Sequence, residues 1–193
     1  VAGSDKYRGA ASLALNGALA SGTGSVSAFL PNSVSSTLWS THPEVLLLGD
    51  LNTFQDGSSD FSKISNEVEL NRFDSILLGP GLGIAEEKDC FGTELQGFKG
   101  LLILDADAIN RLSLTSKGWR WLNNREGPTW LTPHVEEFKR LFPFIDSSNL
   151  LKAGIEAAKI CSSSVLLKGA HSVISDPEGK TWQIGQVNSS VAR

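Results

Sequence analysis

The apolar run Val165-Leu166-Leu167 ends on Lys168-Gly169-Ala170-His171-Ser172, which sets an ammonium group and a glycine at the tip of a strand-like segment. Lysine is almost never buried without a partner, so something negative must meet Lys168. Two sources are open: a protein carboxylate, with Asp105 the candidate, or a nucleotide phosphate or ribose held by this stretch. Gly79-Pro80-Gly81-Leu82-Gly83 lets backbone approach a ligand closely and offers amide donors, though the same residues also make a tight strand-to-helix turn. Asp105 and Asp107, two residues apart, could hold Mg²⁺ through water or position a hydroxyl; Asp107 also suits a helix N-cap. His134, in Leu131-Thr132-Pro133-His134, falls in the first turn of a helix. Free amides there favour an anion and the imidazole can donate to or stack on a ligand, but an ordinary capped helix with an exposed histidine fits as well.

The elements that must position these residues alternate along the chain. Strands are expected at Ser25 to Leu30, Glu44 to Leu48, Ser75 to Leu78, Gly100 to Leu104, Thr129 to Leu131 and Ser164 to Leu167. Runs such as Ile76-Leu77-Leu78 and Leu101-Leu102-Ile103-Leu104 suit strands covered on both faces, hence a parallel sheet. Helices are expected at Gly9 to Ser21, stopped by Gly22, at Ala85 to Phe98, at Pro133 to Phe142 with Thr132 as N-cap, and at Asn149 to Cys161. Ser172 to Ile174 and Thr181 to Ile184 read as an antiparallel hairpin around Asp176-Pro177-Glu178-Gly179. The fold class is therefore α/β: a three-layer sandwich with a mainly parallel central sheet and a C-terminal antiparallel hairpin. The polar and glycine-rich residues gather at the C-terminal ends of the strands, where open parallel sheets bind ligands.

Composition narrows the function classes. At 193 residues, with 40% hydrophobic and 20% charged residues, the chain suits one globular domain. A net charge of −4 argues against nucleic-acid or membrane-surface partners. No apolar stretch reaches the length of a membrane span and no secretory signal pattern opens the chain. The P-loop spacing and the dinucleotide GxGxxG are both absent. Cys90 and Cys161 suit reduced core thiols and a cytoplasmic location. His42 reads as structural or exposed, and Trp119 and Trp121 as packing on the surface of the layer.

Taken in order, Gly3 to Ala10 (GSDKYRGA), Leu77 to Gly83 (LLGPGLG), Leu102 to Asn110 (LILDADAIN), Leu131 to Leu141 (LTPHVEEFKRL) and Leu166 to Trp182 resemble the ADP/ATP-dependent NAD(P)H-hydrate dehydratase family, a branch of the ribokinase-like fold. The resemblance covers nearly the whole chain. It implies a metabolite-repair lyase that dehydrates the S epimer of hydrated NADH or NADPH, with ADP or ATP and Mg²⁺. The nucleotide would phosphorylate the nicotinamide-ring hydroxyl, and phosphate, a far better leaving group than hydroxide, would then depart. Carried over residue by residue, Ala10, Gly79, Gly81, Gly83 and His134 would lie against the hydrated dinucleotide. Lys168, Gly169, Ala170, His171 and Ser172 would lie against the adenine nucleotide, with Asp105, Asn110 and Glu137 in support. The family continues into a GTGD-like segment whose Asp is the general base; that residue is expected beyond Arg193. Residues 1–193 are thus read as a single, incomplete domain, nearly inactive alone, because loss of a general base typically costs on the order of 10²- to 10⁴-fold. A homo-oligomer is expected, through small residues along Ala10 to Ala20. A sugar or vitamin kinase of the same fold, and a nucleotide-binding module without catalysis, are the competing readings.

Overall fold

Backbone hydrogen bonding divides the strands into two groups that the first residues of the chain join. The computed structural model describes residues 1–62, 64–84 and 91–184. One group, β1 (Ser27–Pro31), β2 (Leu46–Thr53) and β3 (Ser59–Asp60), has the order β1-β2-β3. The other has six strands in sequential order: β4 (Ser75–Leu78), β5 (Leu101–Leu104), β6 (Thr129–Leu131), β7 (Ser164–Leu167), β8 (Val173–Ser175) and β9 (Thr181–Gln183). Strands β4 to β7 are parallel, whereas β7-β8 and β8-β9 are antiparallel. Val1 to Gly3 run between the groups: Val1 N donates to Leu77 O (2.8 Å) and Gly79 N to Val1 O (3.2 Å), while Ala2 N donates to Phe29 O (3.4 Å).

The buried runs explain the parallel core. Leu78, Leu102, Leu104, Leu131, Val165 and Leu167 are inaccessible to solvent and belong to one apolar cluster with Ile109, Leu112, Phe138, Phe142, Ala157 and Ala158. Removing any one of these large side chains costs roughly 2–5 kcal/mol. The principal helices are α1 (Arg8–Ala20), α6 (Asp107–Leu114), α7 (Val135–Leu141) and α8 (Leu150–Cys161); α2 (Asn32–Ser35), α3 (Leu38–Thr41), α4 (Ile64–Glu67) and α5 (Thr93–Gln96) are single turns. Helix α8 turns its small residues Ala153, Gly154, Ala157 and Ala158 inward and packs on β7 and β8. A Cβ added at Gly154 would already meet Val173 at 3.3 Å, so close packing there requires a small residue.

Several expectations are corrected. Helix α7 begins at Val135, not Pro133, and its N-cap is His134 rather than Thr132. The Thr132 hydroxyl is diverted to Asp105, so it cannot serve the helix amides. Asp107 is the first residue of α6 and not its cap; the preceding Ala106 holds φ 49°, and the Asp107 carboxylate reaches out of its own helix. Trp121 is core and not surface: it is 2% exposed, and its Nε1 donates to Phe91 O at 3.2 Å. Strand β2 runs to Thr53, past the Leu48 expected. His42 is buried between Asn16 and Thr41, and Cys161 is a buried free thiol. Burial pushes the Cys161 pKa up to about 12. Cys90, the start of the helix expected at Ala85 to Phe98, and Val187 to Arg193 lie outside the described residues.

Candidate active site

Because β4 to β7 are parallel, the loops after Leu78, Leu104, Leu131 and Leu167 leave the sheet on one rim. Direct contacts tie these loops together. His134 and Lys168 form a parallel β-bridge, and Lys168 N donates to Pro133 O at 2.8 Å. Lys168 Nζ donates to Asp105 Oδ1 at 2.8 Å, and Thr132 Oγ1 donates to the same oxygen at 2.7 Å. The protein carboxylate left open by the sequence is therefore present. The ammonium side chain nevertheless stays 43% exposed. A pair this open contributes on the order of 1 kcal/mol or less and does not lock Lys168 against a competing anion. Asp105 already accepts two hydrogen bonds on one oxygen, which suits an anchor better than a free proton acceptor.

The Gly79–Gly83 loop differs from its expected role as an amide cradle. Gly79, Gly81 and Gly83 all have positive φ (135°, 68° and 79°), a region that disfavours any side chain. Three of the loop's amides are used inside the protein: Gly79 N donates to Val1 O, Leu82 N to Gly79 O, and Gly83 N to Asp107 Oδ2 at 2.8 Å. What the glycines supply is room. A Cβ on Gly81 would fall 2.6 Å from Ala10 Cβ, and one on Gly83 would fall 2.7 Å from Ser58 Cβ. The loop thus lies directly on the start of α1, bringing Ala10 and Gly81 together.

His134 is held by its own helix. Its Nδ1 accepts the amides of Glu136 (3.1 Å) and Glu137 (3.3 Å), while Glu137 Oε2 accepts the His134 amide at 2.9 Å, a capping box built with imidazole. Two donors on Nδ1 assign the ring proton to Nε2, which lies 3.2 Å from Glu137 Oε1. Both ring nitrogens are engaged, so the half-exposed ring offers its face rather than a free donor. Asn110 links the parts: its amide donates to Asp107 Oδ1 (3.4 Å) and its carbonyl accepts Arg140 Nη1 (2.8 Å).

The segment after β7 is sparser. Ser172 Oγ lies 3.4 Å from both the amide nitrogen and the carbonyl oxygen of Gly169, and Ala170 and His171 are exposed. His171 borders a cavity of about 290 Å³ with Asn149, Leu150, Leu151 and Gln183. That volume lies at the small end of ligand sites.

Two contributors were not anticipated. The turn Phe54 to Ser58 sits on Gly83, and Asp5 N donates to Gly57 O at 3.0 Å. Hydrogen bonds from the Ser58 side chain and then its amide hold the Asp56 carboxyl below its ordinary value. Asp56-Gly57, a strong turn pair between the antiparallel partners Thr53 and Ser59, is the signal that could have found it. Arg111 is buried under the glycine loop. Its position four residues after Asp107, beside apolar Ala108, Ile109 and Leu112, was a legible sign that it shares the inner face of α6.

Known proteins share both the sequence pattern and the fold. The chain is 41% identical over 193 residues to the bifunctional NAD(P)H-hydrate repair enzyme Nnr of Synechocystis, spanning 36% of that protein. It is 30% identical over 198 residues to the ADP-dependent (S)-NAD(P)H-hydrate dehydratase of Bacillus subtilis, spanning 65% of it. The crystal structure of the B. subtilis ADP/ATP-dependent NAD(P)H-hydrate dehydratase, co-crystallized with ATP/Mg²⁺, superposes with a TM-score of 0.80 at 28% identity, over 100% of this chain and 65% of that one. A ribokinase-like superfamily protein of Enterococcus faecalis, at TM-score 0.70 and 22% identity, covers 94% of this chain and 60% of its own, and attests the fold alone. The family described as NAD(P)H-hydrate dehydratase matches residues 1–193. The fold is ribokinase-like, and the chain belongs to the NAD(P)H-hydrate dehydratase family.

Proposed function

We propose that the protein containing this chain dehydrates hydrated NADH and NADPH, of the S epimer, at the expense of ADP or ATP. The observation that carries this reading is the meeting of the family's motif loops on one rim: Gly81 on Ala10, Gly83 on Asp107, and Asp105 on Lys168. In this reading the glycine loop, Ala10 and the exposed face of His134 receive the reduced dinucleotide. Lys168 to Ser172 and the neighbouring cavity receive the adenine nucleotide. Lys168 suits the charge of its phosphates, and the Leu150 and Leu151 lining suits its base. The nucleotide's terminal phosphoryl group passes to the ring hydroxyl, which releases its proton, and leaves a nucleotide one phosphate shorter; the C–O bond then breaks with its electron pair going to phosphate, and the adjacent ring carbon loses a proton so that the ring double bond returns. Asp105 holds Lys168 and Thr132 in place. Mg²⁺ would be held chiefly by the nucleotide phosphates and water.

The described residues include no helix long and apolar enough to cross a membrane. A cytoplasmic location and a homo-oligomer complete the proposal. The test follows loss of hydrated NADH by the intact protein with ADP against ATP. Turnover with either supports the reading; turnover with neither ends it.

A further inference from the structure

Resting on the proposed function, we infer that Arg111 is a positioning residue that sets the Gly79–Gly83 loop for the dinucleotide. Arg111 is 2% exposed, yet among the described residues no carboxylate lies within ion-pair distance of it. Its Nε donates to Gly83 O at 2.7 Å and its Nη2 to Leu82 O at 3.0 Å, while its guanidinium carbon lies 5.3 Å from the Phe61 ring centre. Nη1 has no partner. Among the described residues the buried guanidinium meets two carbonyl oxygens and an aromatic face, with no carboxylate in direct contact and Asp56 only within its field, and such burial is unfavourable in itself. Stability is therefore a poor account of its presence.

Its geometry supplies a better one. Arg111 takes two successive carbonyls of the loop from below. Asp107, one helical turn earlier, takes the Gly83 amide at 2.8 Å. Donor and acceptor on the same helix thus grip opposite poles of one peptide segment, and φ of Gly83 is held at 79° between them. With both carbonyls tied to α6, the loop is fixed where Gly81 lies against Ala10 and Gly83 against Ser58. A planar fork that reaches two carbonyls at once is a property of arginine that lysine copies only in part.

The test uses the intact protein with Arg111→Met and Arg111→Lys. Arg111→Met is expected to raise KM for hydrated NADH about tenfold while KM for the nucleotide moves less than about twofold, with Arg111→Lys in between. Amide exchange at Leu82 and Gly83 is expected to quicken about tenfold in Arg111→Met. An unchanged dinucleotide KM, or an equal rise in both KM values, overturns the inference. If Arg111→Met does not fold, Arg111→Lys carries the same split on a smaller scale, and its absence there overturns the inference too. If the unsubstituted protein turns over with neither nucleotide, the functional reading fails; exchange then decides the clamp by itself, and unchanged exchange overturns it.

Discussion

The two halves of the candidate site are built differently. The Gly79–Gly83 loop is enclosed: its carbonyls and amides are tied to Arg111, Asp107 and Val1, and three of its residues hold positive φ. The Lys168–Ser172 segment is open: a partly exposed ion pair and long hydrogen bonds at 3.4 Å hold it, and Gly169 is not in the left-handed region. A ring that must be presented for chemistry gains from a preorganised surface. A nucleotide that must enter and leave gains from a segment that yields. Substituting glycine on each side separates these designs.

The largest effect is expected at Gly79→Ala. The new Cβ would fall 1.8 Å from the Asp105 carbonyl oxygen at φ 135°, so backbone must move. A loss of roughly 3 kcal/mol or more in urea unfolding is expected; a loss under about 1 kcal/mol would mean the loop is not enclosed. Next comes Asp107→Ala, which orphans the buried Gly83 amide and frees Asn110. About 1–3 kcal/mol is expected, again by unfolding.

The support of the open side is probed by pH. Cys161 ends α8, and burial raises its thiol from 9.0 to about 12. Below pH 9 folded and unfolded chains both keep the proton, so stability is complete there. Above it only the unfolded chain releases the proton, and stability falls with rising pH until about 12. The slope approaches about 1.4 kcal/mol per pH unit, so that about 1.4 kcal/mol is lost by pH 10. Cys161→Ala should remove this slope while lowering stability at pH 8; an unchanged slope would refute the assignment. The smallest effect is expected at Gly169→Ala, where the new Cβ meets only the end of the Leu150 side chain, at 2.8 Å. Unfolding should shift by about 1 kcal/mol or less, since a flexible side chain can give way.

The sheet was legible because its signal is redundant. Ile76-Leu77-Leu78 and Leu101 to Leu104 are uninterrupted apolar runs closed by glycine or aspartate, and β4, β6 and β7 have the expected limits. The hairpin followed from its turn residues. The α7 cap was misread because Thr132 is the stronger local candidate; only the fold reveals that Asp105, just past the end of the neighbouring strand, claims its hydroxyl. Arg111 escaped notice because a charged helix residue ordinarily faces water, and its partners lie 28 and 29 positions earlier in the chain. Strand β3, two residues long, is too short to leave any period. The site loops were found by type and order, but their internal bonding was not: glycines announce close approach without saying whose amides are already taken.

The division of labour along the rim is tested most directly by Lys168→Ala in the intact protein, with KM measured separately for hydrated NADH and for the nucleotide. The account predicts a rise of about tenfold for the nucleotide and none for the dinucleotide. A rise confined to the dinucleotide, or none for either, would contradict it.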